Sequence, residues 1–319
     1  MQTVKENTWD NVESLSPAPQ TQPATKKSGL DKIRIVGGKR LSGEIPVSGA
    51  KNAALPLMCA AILSAEPLQL TNMPVTLGDI KTLSSVMNEL GVRTALRDDG
   101  VAILHAKEIK SHIAPYEMVR KMRASILVLG PLLSRHGKAE VSLPGGCAIG
   151  TRPVDMHIDG LRKMGAEIEI EGGYIKATAP NGLKSANITF SKVSVGATEN
   201  LMMAATLADG ETVLINAAKE PEVIDLGECL IKMGAKITGL GTDTVKITGV
   251  KKLHGAVHSV VPDRIETGTY MIAVALTGGT VRLKNARAEH LPALIAPLQA
   301  AGVEIKQDGT DIIVSRNGK

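Results

Sequence analysis

The chain has 319 residues, 43% of them hydrophobic, which is enough for one large or two ordinary domains with packed cores. A net charge of +5 with scattered basic residues does not indicate a nucleic-acid partner and suits a protein that holds anionic substrates. Aromatic residues make up only 2% (Trp9, Tyr116, Tyr174, Phe190 and Tyr270), too few for base-stacking platforms, so the core is expected to consist of Ala, Ile, Leu, Val and Met.

Residues 1–29 are rich in Pro, Ser, Thr and Gln without periodicity and read as a disordered tail. From there to the C-terminus one phrase recurs four times: an apolar helix, a short strand, a second helix, then two alternating strands. The apolar helices are AALPLMCAAILSA from Ala53, RASILVLGPLLS from Arg123, VGATENLMMAATLA from Val195 and IETGTYMIAVALT from Ile265. They are apolar on nearly every face and are expected to be buried. The second helices end at Gly91, Gly165, Gly234 and Gly302, about 70 residues apart, where glycine suits a left-handed cap leading into a strand. Alternation such as Val303 and Ile305 followed by Ile312 and Val314 predicts a half-buried hairpin. The longest apolar stretches are too short to cross a bilayer, so no membrane partner is expected. Cys59, Cys147 and Cys229 are isolated from one another, which predicts a reducing, cytoplasmic setting. Cys59 and Cys229 fall in apolar helical patterns and read as buried hydrophobes.

Polar residues collect where each apolar helix begins: Ser48–Asn52, Arg120–Arg123, Ser191–Ser194 and Pro262–Glu266. Free N–H groups and a partial positive charge make such ends suitable for phosphate. The segment SLPGGCAIGTRPVDMHIDGL from Ser142 carries the strongest chemical signal. Its glycines present Cys147 in a loop, poorly placed for packing and well placed to meet a ligand, and Arg152 nearby favours the thiolate. Pro153 and Asp155 fit the start of the helix that follows, in which His157 reads by default as a packing or helix-surface residue. There is no metal-ligand spacing, P-loop or GxSxG motif.

SGAKNAALP, RASI, LPGGC-IG-RPVD-H, KVSVGAT, AA-EPE and PDRIETG, in this order, resemble the UDP-N-acetylglucosamine 1-carboxyvinyltransferases, a family of enolpyruvyl transferases, from roughly Lys32 onward. The resemblance implies an inside-out α/β barrel of two lobes, with helices inside and sheets outside and substrates between the lobes. It implies transfer of the enolpyruvyl group of phosphoenolpyruvate to the 3′-hydroxyl of UDP-N-acetylglucosamine with release of phosphate, the first committed step of peptidoglycan synthesis, without metal or organic cofactor. Cys147 is then the acid at C3 of phosphoenolpyruvate and the site of its covalent adduct. Lys51, Asn52 and Arg152 meet phosphoenolpyruvate. Arg123, Arg152, Pro153, Val154, Asp155 and Met156, with Lys192, Val193, Ser194 and Val195, hold the sugar nucleotide. Glu220 and Asp263 are secondary cleft residues. Family connectivity makes residues 51–261 one complete lobe of three repeats, and residues 30–50 with 262–319 a partial one. Four repeats stand where the family has six, so weak turnover is expected. The alternative reading is a non-catalytic module that binds the sugar nucleotide.

Overall fold

The computed structural model describes residues 34–119, 122–143 and 154–317. They form two compact units, residues 48–262 and residues 34–47 with 263–317. The chain passes from one unit to the other at 47–48 and again at 262–263.

The second unit opens with β1 (Leu41–Pro46). The first repeat of the larger unit then runs α1 (Lys51–Ala60, extended by a 3₁₀ turn, Ala61–Leu63), β2 (Leu68–Thr71), α2 (Gly78–Leu90), β3 (Arg93–Leu96) and β4 (Ala102–His105). The next begins with β5 (Ile113–Ala114) and α3 (Tyr116–Val119), followed by a 3₁₀ segment (Arg123–Val128) and α4 (Leu129–His136). It continues through β6 (Lys138–Ser142), α5 (Asp155–Lys163), β7 (Glu167–Glu171) and β8 (Tyr174–Thr178). The third comprises β9 (Asn187–Thr189), α6 (Val195–Ala205), β10 (Glu211–Ile215), α7 (Pro221–Lys232), β11 (Lys236–Thr238) and β12 (Thr244–Thr248). After β13 (Ala256–Ser259) the fourth repeat returns to the second unit as α8 (Arg264–Thr277), β14 (Gly279–Lys284), α9 (Pro292–Ala300), β15 (Glu304–Asp308) and β16 (Asp311–Arg316).

The four sheets share one topology. Each repeat supplies an antiparallel trio, and a borrowed strand lies parallel to the trio's outer member: β1-β14-β16-β15, β13-β2-β4-β3, β5-β6-β8-β7 and β9-β10-β12-β11. The strands β5 and β9 open their own repeats, ahead of the first helix. The first repeat instead borrows β13 from beyond the third, which closes the larger unit on itself, and β1 is left to pair with β14. The hairpin expected at the C-terminus is present, with Ile305 opposite Val314 and Val303, Ile312 and Val314 buried.

The repeat glycines have φ of 99°, 88°, 101° and 84° at Gly91, Gly165, Gly234 and Gly302, a left-handed conformation that a Cβ disfavours. A second left-handed residue marks three repeats: Asn72, Asn216 and Asn285 follow β2, β10 and β14 with φ of 54–57°. The Asn72 Nδ2 group donates to Val260 O and the Asn216 Nδ2 group to Phe190 O, tying down the end of the borrowed strand in each sheet.

Buried helices and surrounding sheets give the larger unit its inside-out α/β barrel character. From Ala53 to Ala60, and again from Ala197 to Ala205, every residue is buried. Each buried Leu or Met there contributes about 1.5–3 kcal/mol. Cys59 and Cys229 are free and buried, and burial raises both thiols well above the ordinary range. Among the described residues no helix is long and apolar enough to cross a membrane.

Two expectations need correction. The apolar stretch from Arg123 is a 3₁₀ segment followed by a short α-helix, not one α-helix. Its Gly130 N–H donates to Asn200 Oδ1 instead of up the helix, and Pro131 has no N–H to give. Helix α8 is not buried all round, since Ile265, Ile272 and Leu276 are 52%, 43% and 80% exposed. In the larger unit, helices of three repeats cover one another, whereas the described residues of the second unit contain one repeat. Its core is correspondingly small, built around Val47, Met271, Val274, Val281, Leu283, Ile312 and Val314.

Candidate functional site

The repeat pattern has one exception, and several candidate site residues gather there in sequence. The link from the repeat's first strand to its second helix covers residues 72–77, 216–220 and 285–291 in three repeats, but 143–154 in the repeat containing β6. That repeat also has Leu143 where the others have the left-handed asparagine. The long link carries Cys147, Arg152 and Pro153, which lie outside the described residues, as do Arg120 and Lys121. Arg123 opens the 3₁₀ segment, and its side chain is likewise outside the described set.

On the far side of this link, Val154 is the N-cap of α5. Asp155 follows in the first turn and is exposed, where a carboxylate complements the helix dipole. Met156 turns partly into the core. His157 is buried, and its tautomer can be assigned. Gly130 N–H donates to Asn200 Oδ1 (2.8 Å), so the Asn200 Nδ2 group donates to His157 Nδ1 (2.9 Å) and the ring proton sits on Nε2. A Cβ on Gly196 would lie 3.5–3.6 Å from the Cε1 and Nε2 atoms of this ring. His157 therefore supports the beginning of α6 from below, which a reading of its helix alone did not reveal.

Helix α6 begins at Ser194, whose Oγ accepts from Ala197 N (3.3 Å) as the N-cap. Lys192 and Val193 precede it and are exposed, Val193 by 54%. Val195 packs against the core. An exposed lysine, an exposed apolar side chain and a helix start are thus contiguous, a combination suited to a phosphate linked to a flat or apolar group.

Helix α1 starts differently. Its N-cap is Ala50, with no side-chain cap, and there is no acid in its first turn. Lys51 is its first residue, and Nζ lies 2.9 Å from Asp79 Oδ2 in the first turn of α2. Both side chains remain 39% exposed, so the ammonium is held in place yet open to a ligand. Asn52 beside it is exposed. Asp79 was not legible as a site residue, because only packing of α2 on α1 brings it there.

Glu220 occupies the N-cap position of α7 without capping it, and its Oε2 is buried without a hydrogen-bond partner among the described residues. Glu199, one turn into α6, is buried in the same neighbourhood. Burial first, then the charges of Glu222 and Glu220, hold its carboxyl well above the usual range. Asp263 belongs to the other unit. Its Oδ1 accepts from Ile265 N (2.8 Å) and Glu266 N (3.0 Å) as the N-cap of α8. Among the described residues no group of three or more His, Cys, Asp or Glu could hold a metal.

The family profile of EPSP synthase (3-phosphoshikimate 1-carboxyvinyltransferase) matches residues 35–319. The UDP-N-acetylglucosamine 1-carboxyvinyltransferase of Caulobacter vibrioides is 55% identical over 293 residues, covering 91% of this chain and 68% of that protein. The protein of the same description from Saccharophagus degradans is 53% identical over 290 residues, 91% and 69% of the two chains. Among solved structures, the enolpyruvyl transferase NikO from Streptomyces tendae superposes with a TM-score of 0.76 at 22% identity, covering 88% of this chain and 66% of that one. EPSP synthase from Acinetobacter baumannii gives a TM-score of 0.67 at 19% identity, over 87% and 64%. This chain therefore spans about two thirds of the length of these proteins.

Proposed function

We propose a function on one premise: the chain belongs to the enolpyruvyl transferases, in the branch of the UDP-N-acetylglucosamine 1-carboxyvinyltransferases. On this reading it takes the two small-molecule substrates of that reaction, phosphoenolpyruvate and UDP-N-acetylglucosamine. The sugar's 3′-hydroxyl gives up its proton and adds to C2 of phosphoenolpyruvate while C3 gains a proton, and the tetrahedral adduct then loses phosphate together with a proton from C3, which restores the double bond. Cys147 supplies the proton and, in a side equilibrium, bonds to C2 itself. Addition to an alkene needs an acid at one carbon and fixed cations around the phosphate.

Lys51 is the fixed cation with the best support. The ion pair with Asp79 restricts its ammonium, and the uncapped start of α1 adds backbone donors beside it. Asn52 and Arg152 complete this side. The sugar nucleotide lies along the start of α6, with Lys192 and the Ser194 turn at the diphosphate and Val193 and Val195 beside the base. Arg123 and the run Arg152, Pro153, Val154, Asp155 and Met156 hold the rest. Glu220 and Asp263 are secondary. The reaction belongs to cytoplasmic peptidoglycan synthesis, and so to cell growth and division. The buried free thiols of Cys59 and Cys229 are consistent with that compartment.

The single observation that carries this reading is the broken repeat: one link out of four is lengthened, and it holds the cysteine. The test is phosphate release from phosphoenolpyruvate with UDP-N-acetylglucosamine, alongside mass spectrometry of the intact chain for an adduct at Cys147. Cys147→Ser should abolish the adduct while leaving nucleotide binding intact. The second reading is a module that binds the sugar nucleotide without turnover. Nucleotide binding with neither adduct nor phosphate release would select it.

A further inference from the structure

We propose that Asp225 is a positioning residue for the start of α1, acting from α7 through the backbone of Val261. The proposal rests on the reading above that Lys51 and Asn52 hold phosphoenolpyruvate. Asp225 and His258 are both almost completely buried. The Lys232 ammonium donates to His258 Nδ1 (3.0 Å), so the imidazole carries its proton on Nε2 and donates it to Asp225 Oδ1 (2.7 Å). The other carboxylate oxygen, Oδ2, accepts from Val261 N (3.3 Å). Val261 O in turn accepts from Ala50 N (2.8 Å), and Ala50 O accepts the first helical bonds of α1, from Ala53 N (3.1 Å) and Ala54 N (2.9 Å). Ala50 is thus gripped on both sides, one residue ahead of Lys51.

The neighbouring backbone is held as firmly. Val260 N donates to Thr71 O (3.0 Å), the Asn72 Nδ2 group donates to Val260 O (2.8 Å), and Gly49 bridges Pro262. The buried His258–Asp225 pair, met at its outer end by the exposed Lys232, is costly to desolvate and adds little stability over apolar packing. Its value here is directional. A carboxylate with both oxygens engaged, by His258 and by Val261, gives the strand beside Ala50 one register and α1 one starting direction.

An asparagine cannot replace it. If the Asn oxygen accepts from Val261, its amide must donate to His258 Nε2. The ring proton then moves to Nδ1 and faces the Lys232 ammonium, donor against donor. The flipped amide sets its own donor against Val261 N–H. Removing Lys232 relieves the first arrangement, so Asp225→Asn should be impaired and the double variant Asp225→Asn with Lys232→Met should recover.

The test is amide hydrogen exchange by NMR on the full chain, with binding of phosphoenolpyruvate and of UDP-N-acetylglucosamine measured by calorimetry. Asp225→Asn should speed exchange at Ala50 and Val261 by about tenfold, leave Leu201 and Met202 in α6 unchanged, and weaken phosphoenolpyruvate by about tenfold with the nucleotide within about twofold. The double variant should restore both. Unchanged exchange at Ala50 and Val261, or an equal rise in α6, would overturn the proposal, as would failure of the double variant to recover. The expected exchange pattern in a chain that binds no phosphoenolpyruvate would support the positioning role and count against the ligand assigned to Lys51.

Discussion

Arg135 is the most demanding test of how the larger unit holds together. It closes α4 in the second repeat, yet its Nη1 donates to three carbonyls of the first: Ile62 O (2.7 Å), Ser64 O (2.9 Å) and Ala106 O (2.9 Å). Ile62, Ser64 and Ala106 are all buried, and desolvation lowers the guanidinium's proton affinity without discharging it. A bond from a charged donor contributes about 1.5–3 kcal/mol net, and a buried carbonyl left without a donor costs about 1–3 kcal/mol. The three bonds share one nitrogen and do not simply add, so Arg135→Met is expected to cost about 3–5 kcal/mol. Methionine matches most of the stem's volume, so little of this loss is packing. For a unit of this size the change corresponds to a fall in Tm of about 10 °C. Arg135→Lys, with a compact ammonium on a shorter stem, should lose about half as much. Denaturant titration and calorimetry of the three proteins measure the differences. A loss below about 1 kcal/mol for Arg135→Met would refute the idea that this side chain ties the two repeats.

Other substitutions test the remaining parts of the structure. Glu199→Gln should raise stability at pH 7–8 relative to wild type and change little at pH 4. The raised folded-state affinity for its proton makes the wild-type contribution full below the unfolded carboxyl range and lost as pH rises. Urea titrations at the two pH values decide this, and a destabilised Gln variant at pH 8 would contradict it. His136, packed edge-to-face on His112, is pushed down to about 4 by burial, then by Arg135 and His112. Its contribution is therefore present above the unfolded value of about 6.5 and lost as pH falls toward 4, by about 1–2 kcal/mol after solvent screening of a half-buried group. His136→Phe should flatten that part of the acid limb in a pH–stability profile. Ser194→Ala should cost about 1 kcal/mol as a lost cap. On the proposed function it should also weaken UDP-N-acetylglucosamine more than phosphoenolpyruvate, as calorimetry would show. Gly49→Ala places a Cβ 1.7 Å from Asn72 O, so expression as folded protein, read by circular dichroism, should fall sharply.

Much of the architecture can be read along the chain because it rests on local rules. The four repeat glycines stand where a left-handed cap is required, and the strand pairs that follow them alternate as half-buried hairpins do. Ser194 and Asp263 are cap residues by type and by position. The helices from Ala53 and Val195 are apolar all round because other helices surround them. The same pattern misled at α8, since apolarity records what a face is suited to and not what covers it. It also misled at Arg123–Val128, where a hydrogen bond from Gly130 to a distant asparagine shortened the α-helix.

The sequence by itself determined the repeat, its caps and turns, the lengthened link that holds Cys147, and the family to which these belong. The caps and turns depend on residues within a few positions of one another, and the repeat and the family on the recurrence and order of such short segments. Only the tertiary structure decided that β13 returns to β2 while β1 pairs with β14, that Asp79 meets Lys51, that Asn200 fixes the tautomer of His157, and that Asp225 reaches Val261. These pairings join residues far apart in the chain. They arise only when the elements pack, and no local periodicity encodes which of several equivalent sheet edges a strand will join.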